Sequence, residues 1–131
     1  MLNQTVLVGR LVDQPTVKTL EDGKDVTNIT LAVPRSYKNE NGEYDTDFID
    51  CVLWNSIAQN TSEYCKKGDL VGIKGRIQTS YYEKDGESRK KTELIAEKVT
   101  FLSTSKDIEK RKAESEKSDE EEKESEDNLD I

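Results

Sequence analysis

The chain has 131 residues, 32% apolar and 37% charged, and its 20 basic and 28 acidic side chains leave a formal charge of −8. That length fits one domain. With no histidine, Ser-His-Asp and Cys-His catalysis are excluded, as are His-containing zinc sites, and no apolar run nears the roughly 18 residues of a membrane span.

The charge is uneven. Residues 1–103 hold 14 Lys/Arg against 16 Asp/Glu, whereas residues 104–131 hold 6 against 12, so −6 of the −8 falls in the tail. A unit of about 100 residues buries well over half of its unfolded surface and can fold alone. The first ten residues lack a basic stretch and a small-residue cleavage site, so a cytoplasmic protein is expected. Cys51 and Cys65 form no Cys-x-x-Cys pair and read as reduced thiols.

The first hundred residues read as strands. Thr5–Val12 is β-branched and apolar, with Gly9 at its middle as a candidate bend, and Asp13-Gln-Pro15 ends it. A short strand over Thr16–Leu20, the turn Glu-Asp-Gly-Lys and a strand over Val26–Val33 follow. Asn39-Glu-Asn-Gly42 is a hairpin signal, because Asn-Gly suits positive φ. Tyr44–Trp54 returns as a strand. A helix then interrupts, with Asn55 or Ser56 as its cap and Ile57, Ala58, Thr61, Tyr64 and Cys65 as its stripe. Lys66 and Lys67 are expected in its last turn and Gly68 at its stop. Leu70–Ile77 is strand, with Gly72 and Gly75 as bend candidates. Ser80–Lys84 runs into the Asp85-Gly86 turn, and Lys91–Leu102 is the last strand. Five bent strands with one helix between the third and fourth match an all-β OB-fold, a small Greek-key barrel, with some other small barrel or sandwich as the alternative that strand counts alone do not exclude.

Residues 104–131 differ in kind. Asp107–Asp127 is almost wholly charged or Ser, with only Ile108 and Ala113 apolar. With no stripe to dock, it is expected to be a disordered or solvated acidic tail beyond a domain of residues 1–103. Its tip, Asp127-Asn-Leu-Asp-Ile131, restores Leu129 and Ile131 beside acids, as in a peptide ligand.

No catalytic set emerges. Asp45, Asp47 and Asp50 lie on or beside a hairpin, where solvated acids are usual, and there is no Gly-rich phosphate cradle. No enzyme activity, metal or cofactor is expected. The aromatics are few and more telling. Phe48 and Trp54 stand six apart on one strand and so share a face, opposite Ile49, Cys51 and Leu53, which form the core side. They point outward with Asp50 and Val52. Exposed rings of this kind need a cover, and stacked nucleobases would supply one at about 1–3 kcal/mol each. The alternative is that Trp54 packs under the helix. Residues 66–91 carry eight Lys/Arg against four Asp/Glu beside Tyr81 and Tyr82, the combination expected of a single-strand groove. Candidate phosphate contacts are Arg10, Lys38, Lys67, Lys74, Arg76, Lys84, Arg89, Lys90 and Lys91.

Residues 1 to about 103 resemble the bacterial single-stranded DNA-binding protein family. The matching stretches are Leu-Asn-Gln-Thr-Val-Leu-Val-Gly-Arg-Leu at 2–11, Asn-Ile-Thr-Leu-Ala-Val at 28–33 and Asp-Phe-Ile-Asp-Cys-Val-Leu-Trp at 47–54. Ser-Glu-Tyr-Cys-Lys-Lys-Gly at 62–68 and Val-Gly-Ile-Lys-Gly-Arg-Ile-Gln-Thr at 71–79 continue the match. The resemblance implies a homotetramer of OB-folds that wraps single-stranded DNA without sequence preference, in the nucleoid, during replication, recombination and repair. It puts the base-stacking positions on Tyr37, Phe48, Trp54 and Tyr82. The chain departs from the family at Asp50, Ser56, Gln78 and Ser80, where basic residues are frequent. Its tail is Lys/Glu/Ser-rich rather than Gly/Pro/Gln-rich, and its tip lacks the family's Asp-Leu-Pro-Phe. Docking of replication and repair proteins would fall on Asp127, Leu129 and Ile131. Two alternatives stand beside a single-strand coat: an OB protein-assembly adaptor, or an accessory plasmid or phage-type member with weak DNA binding. Stacking alone does not separate DNA from RNA.

Overall fold

The computed structural model describes residues 1–104, 109 and 111–115. The expectations for the tail tip, Asp127, Leu129 and Ile131, lie outside the described residues. In residues 1–104 the elements run in order β1 (Thr5–Leu11), β2 (Lys18–Thr19), β3 (Asp25–Lys38), β4 (Tyr44–Trp54), α1 (Asn55–Tyr64), β5 (Leu70–Lys84) and β6 (Glu87–Ser103).

Five of the strands close a ring. β1 pairs with β5, β5 with β6, β6 with β4 and β4 with β3, and β3 returns to β1 through Arg10↔Ala32 and Leu11↔Leu31. All these pairings are antiparallel except β4 with β6, where Cys51↔Leu94 and Val52↔Ile95 run parallel. With the two-residue β2 set aside on the edge of β3, this is the five-stranded OB barrel, with its helix between the third and fourth long strands.

Alternation along each strand fills the interior. Leu11, Ile29, Leu31, Cys51, Leu53, Val71, Ile73, Leu94 and Ala96 form one buried cluster. The helix closes one end with Ala58 and Thr61 buried, and Tyr64 stacks on Phe101 of β6 at 5.0 Å between ring centres. Cys51 and Cys65 are buried and unbridged. Burial, with the Asp50 charge adding, pushes the Cys51 thiol up to about 11.

The local details depart from the sequence expectations in four places. Neither Asn55 nor Ser56 caps the helix. Trp54 holds the cap position without a side-chain bond, and Asn55 takes φ +53° while its Oδ1 accepts the Asp25 N–H at 3.3 Å. Lys66 and Lys67 lie past the helix end, in a turn where the Lys66 N–H donates to Asp69 Oδ2 at 2.8 Å. The expected strand over 16–20 shrinks to Lys18–Thr19, and three strands run longer than their apolar parts. β3 reaches Lys38, and β5 and β6 pair without a break from Ser80↔Lys91 to Lys84↔Glu87. Asp85 and Gly86 turn this second hairpin with φ +54° and +78°, the left-handed pair that a two-residue turn needs.

Gly72 and Gly75 also differ. A Cβ on Gly75 would fall 2.3 Å from the Ile95 carbonyl oxygen, beside the register shift between Lys74 and Gly75, whereas the nearest atom to one on Gly72 is 3.6 Å away. Of these two, Gly75 is the close-approach position. Gly75→Ala is expected to cost roughly 1–3 kcal/mol of stability and Gly72→Ala less than about 1 kcal/mol. Urea denaturation of both variants checks this, and equal losses would contradict it.

Candidate nucleic-acid interface

The outer face of β4 carries Phe48, Asp50, Val52 and Trp54, because Ile49, Cys51 and Leu53 face the interior. Each is matched across to β3: Phe48 with Ala32, Asp50 with Thr30, Val52 with Asn28 and Trp54 with Val26. The strip from Phe48 to Trp54 spans roughly 20 Å at the usual rise of a strand. Phe48 is 66% exposed and Trp54 is half-buried at the start of the helix, outside the core cluster. Val52 corrects the expectation of an exposed outer face. It is buried against its parallel partner Ile95, giving the strip an apolar floor between its two rings.

The distal half of the β5–β6 hairpin stands beside this strip. A cleft of about 390 Å³ separates Asn28, Asp50 and Val52 from Lys91, Thr92 and Glu93. A second, of about 490 Å³, continues past Lys91 and Glu93 to Ser80 and Tyr82. Cross-strand pairing puts Tyr82 with Arg89 and Ser80 with Lys91 on one face of the arm, and Tyr81 with Lys90 on the other. Tyr82, 45% exposed, therefore looks into the cleft system.

The candidate cations divide accordingly. Lys91 lines both clefts, with Glu93 Oε2 3.8 Å from its Nζ. Arg89 shares the Tyr82 face, and Lys84 closes the same hairpin against Glu87. Arg76 pairs with Ile95, next to Val52, but bonds Gln78 Oε1 at 2.6 Å and approaches Glu97 at 3.5 Å. Arg10 lies across Ala32 from Phe48 and donates to the Gly68 carbonyl at 3.1 Å, which brings it to the loop of Lys67. Lys74 pairs with Val6 of β1, and Lys90 accompanies Tyr81, so neither joins the cleft. Lys38 lies over the Tyr44 ring at 5.8 Å. Tyr37 is 63% exposed, but a register shift between Pro34 and Lys38 breaks the alternation that aligns Phe48 with Trp54.

A model of the single-strand binding protein family matches residues 2–102. The chain belongs to that family. Single-stranded DNA-binding protein B of Bacillus subtilis (strain 168) is 47% identical over 103 residues, 78% of this chain and 91% of that protein. Single-stranded DNA-binding proteins of Bacillus cereus and Halalkalibacterium halodurans are 46% and 48% identical over the same length. The match spans 61% of each of those two longer proteins. A deletion mutant of the single-stranded DNA binding protein from Thermus aquaticus superposes with a TM-score of 0.66 at 26% identity, over 77% of this chain and 50% of that one.

One cation escaped the sequence reading. Arg35 donates to both carboxylate oxygens of Asp47, at 3.1 and 2.9 Å, and lies 3.6 Å from Asp45. Two of the three acids that looked like solvated hairpin residues, Asp45 and Asp47, are its partners. Those hydrogen bonds hold the Asp47 carboxyl below the usual carboxylate range. A depressed carboxyl contributes stability that is present above the ordinary value and lost as pH falls through the lowered one. Arg35→Gln is expected to return the Asp47 midpoint upward in an NMR titration and to weaken the fold on the acid side. An unmoved midpoint would show that the pair does not form in solution.

Proposed function

We propose that the protein is a non-enzymatic coat for single-stranded DNA, binding bases by stacking and phosphates by charge, without a required sequence. The observation that carries this is the outer strip of β4. An exposed Phe48 and a half-buried Trp54 flank an apolar floor, a cleft shared with Lys91 lies alongside, and a second cleft continues from Lys91 to Tyr82. Ring faces accept any base, so such a strip gives affinity with little selectivity. Arg10, Lys67, Arg76, Lys84, Arg89 and Lys91 would track the backbone from the rims. Lys38 and Tyr37 would extend the path along the β3–β4 hairpin, while Lys74 and Lys90 contribute only to the general field. The Bacillus relatives named for single-stranded DNA binding support the same substrate. Bacterial single-stranded DNA arises in replication, recombination and repair, which puts the site of action in the cytoplasm.

The same proposal includes self-association. On the outer face of β1, Val6 is 67% exposed and Val8 also stands in solvent, with Met1 and Leu2 nearby in sequence. An apolar patch of that kind fits a contact between copies, in keeping with the homotetramer that the family resemblance implies. Sedimentation equilibrium of the full chain tests it, and a monomer at working concentration would count against it. Docking of replication or repair proteins on Asp127, Leu129 and Ile131 is tested by pull-down with and without residues 104–131.

Binding of a labelled oligo-dT, followed by anisotropy, tests the central reading. Phe48→Ala should weaken it by about 1–3 kcal/mol, with the fold intact by circular dichroism. Lys91→Ala should make the salt dependence shallower by close to 0.7 in log–log slope. Full affinity in a folded Phe48→Ala variant would remove the strip as the platform.

A further inference from the structure

Between the two rings of the strip lies a carboxylate. Asp50 is exposed, two residues from Phe48 on the same face, and it lines the cleft opposite Lys91. A carboxylate repels the phosphate backbone that the rest of the cleft attracts, so a purely charge-driven coat gains nothing from it. Among the described residues no cation forms an ion pair with it. Thr30 Oγ1 donates to Asp50 Oδ1 at 2.7 Å, and Arg35 of the same hairpin is engaged with Asp45 and Asp47 instead. The Thr30 hydroxyl takes Oδ1, and Oδ2, on a residue that lines the cleft, has no hydrogen-bond donor among the described residues.

We infer that Asp50 is a base-selective acceptor in the groove, favouring bases that carry an exocyclic amine over thymine. This rests on the single-stranded DNA reading above and refines it. A base stacked on Phe48 has its edge in reach of the next outward residue, which stands two positions along the strand at roughly 7 Å in backbone rise. Cytosine, adenine and guanine each present an amino donor there, and a carboxylate accepts from such a group, as it does from cytosine N4 in duplex grooves. Thymine presents only an imide N–H set between two carbonyl oxygens, both of which repel the carboxylate. Lys91 across the cleft can meanwhile hold the phosphate of the same nucleotide, so cation and anion divide the work on one residue of DNA. Asn28, which lines the same cleft, is neutral and can donate or accept, and so does not discriminate between the pyrimidines.

The test compares oligo-dC with oligo-dT, since the two pyrimidines offer similar ring area for stacking. Affinities are measured for the full chain and for Asp50→Asn, at mildly alkaline pH so that cytosine stays unprotonated. The wild-type chain is expected to favour dC over dT by about threefold to tenfold, as one charge-assisted hydrogen bond allows. Asp50→Asn, which keeps the shape and loses the charge, should tighten dT and bring the ratio toward one. If the substitution tightens both oligomers by the same factor, Asp50 acts only by repelling phosphate and the inference is overturned. A wild-type ratio of one overturns it as well. Failure of the wild-type chain to bind either oligomer would instead overturn the function on which the inference stands.

Discussion

Everything at the interface depends on closure of the strand ring. When β1 bonds to β5 on one side and to β3 on the other, every long strand acquires an inside and an outside, and alternation then sorts side chains between them. Closure is sterically tight. A Cβ on Gly9 would come 2.7 Å from the Ala32 carbonyl oxygen, at the β1–β3 junction, and Gly75 is tighter still where β5 meets β6. Larger residues at these points would push strands apart, and the same movement would tilt the face that presents Phe48, since Ala32 is its direct neighbour.

The interface is built from strands that overrun the barrel. β5 and β6 continue well past their contact with β1, which ends at Thr5↔Gly75, and the arm they form is exposed on both faces. A two-stranded ribbon is marginal on its own, so the arm's order derives from the barrel-side half of the same strands. This division suits a binding protein. The rigid β4 strip fixes where bases sit, while the arm bearing Tyr82 and Lys91 has little apolar contact to hold it and can adjust to the strand it covers.

Much of this was legible from local pattern. The alternation from Phe48 to Trp54 separates core from surface, the helical stripe marks the plug, and Asp85-Gly86 marks the hairpin tip. What escaped was set by partners distant in sequence. Val52 is buried because a parallel pairing brings Ile95 beside it, and no local signal announces a residue 43 positions away. Arg35 carries no local signal of a partner, and it is the return of β4 that sets Asp45 and Asp47 against it. The strand ends ran long because polar residues on a ribbon exposed on both faces carry no hydrophobic period. Lys74 and Lys90 counted toward a basic segment, yet Lys74 sits beside β1 across from Val6, and strand parity puts Lys90 with Tyr81 on the other face of the arm, which charge summed along the chain cannot reveal.

The most direct measurement of the central claim uses Trp54, the only tryptophan in the chain. Its fluorescence is followed while poly-dT is titrated into the full-length protein at low and high salt. Strong quenching that saturates at a fixed number of nucleotides per protomer, with a weaker affinity at high salt, is the result predicted by bases stacking along the β4 strip. Tight binding with unchanged Trp54 emission would contradict that placement and move the DNA to another face.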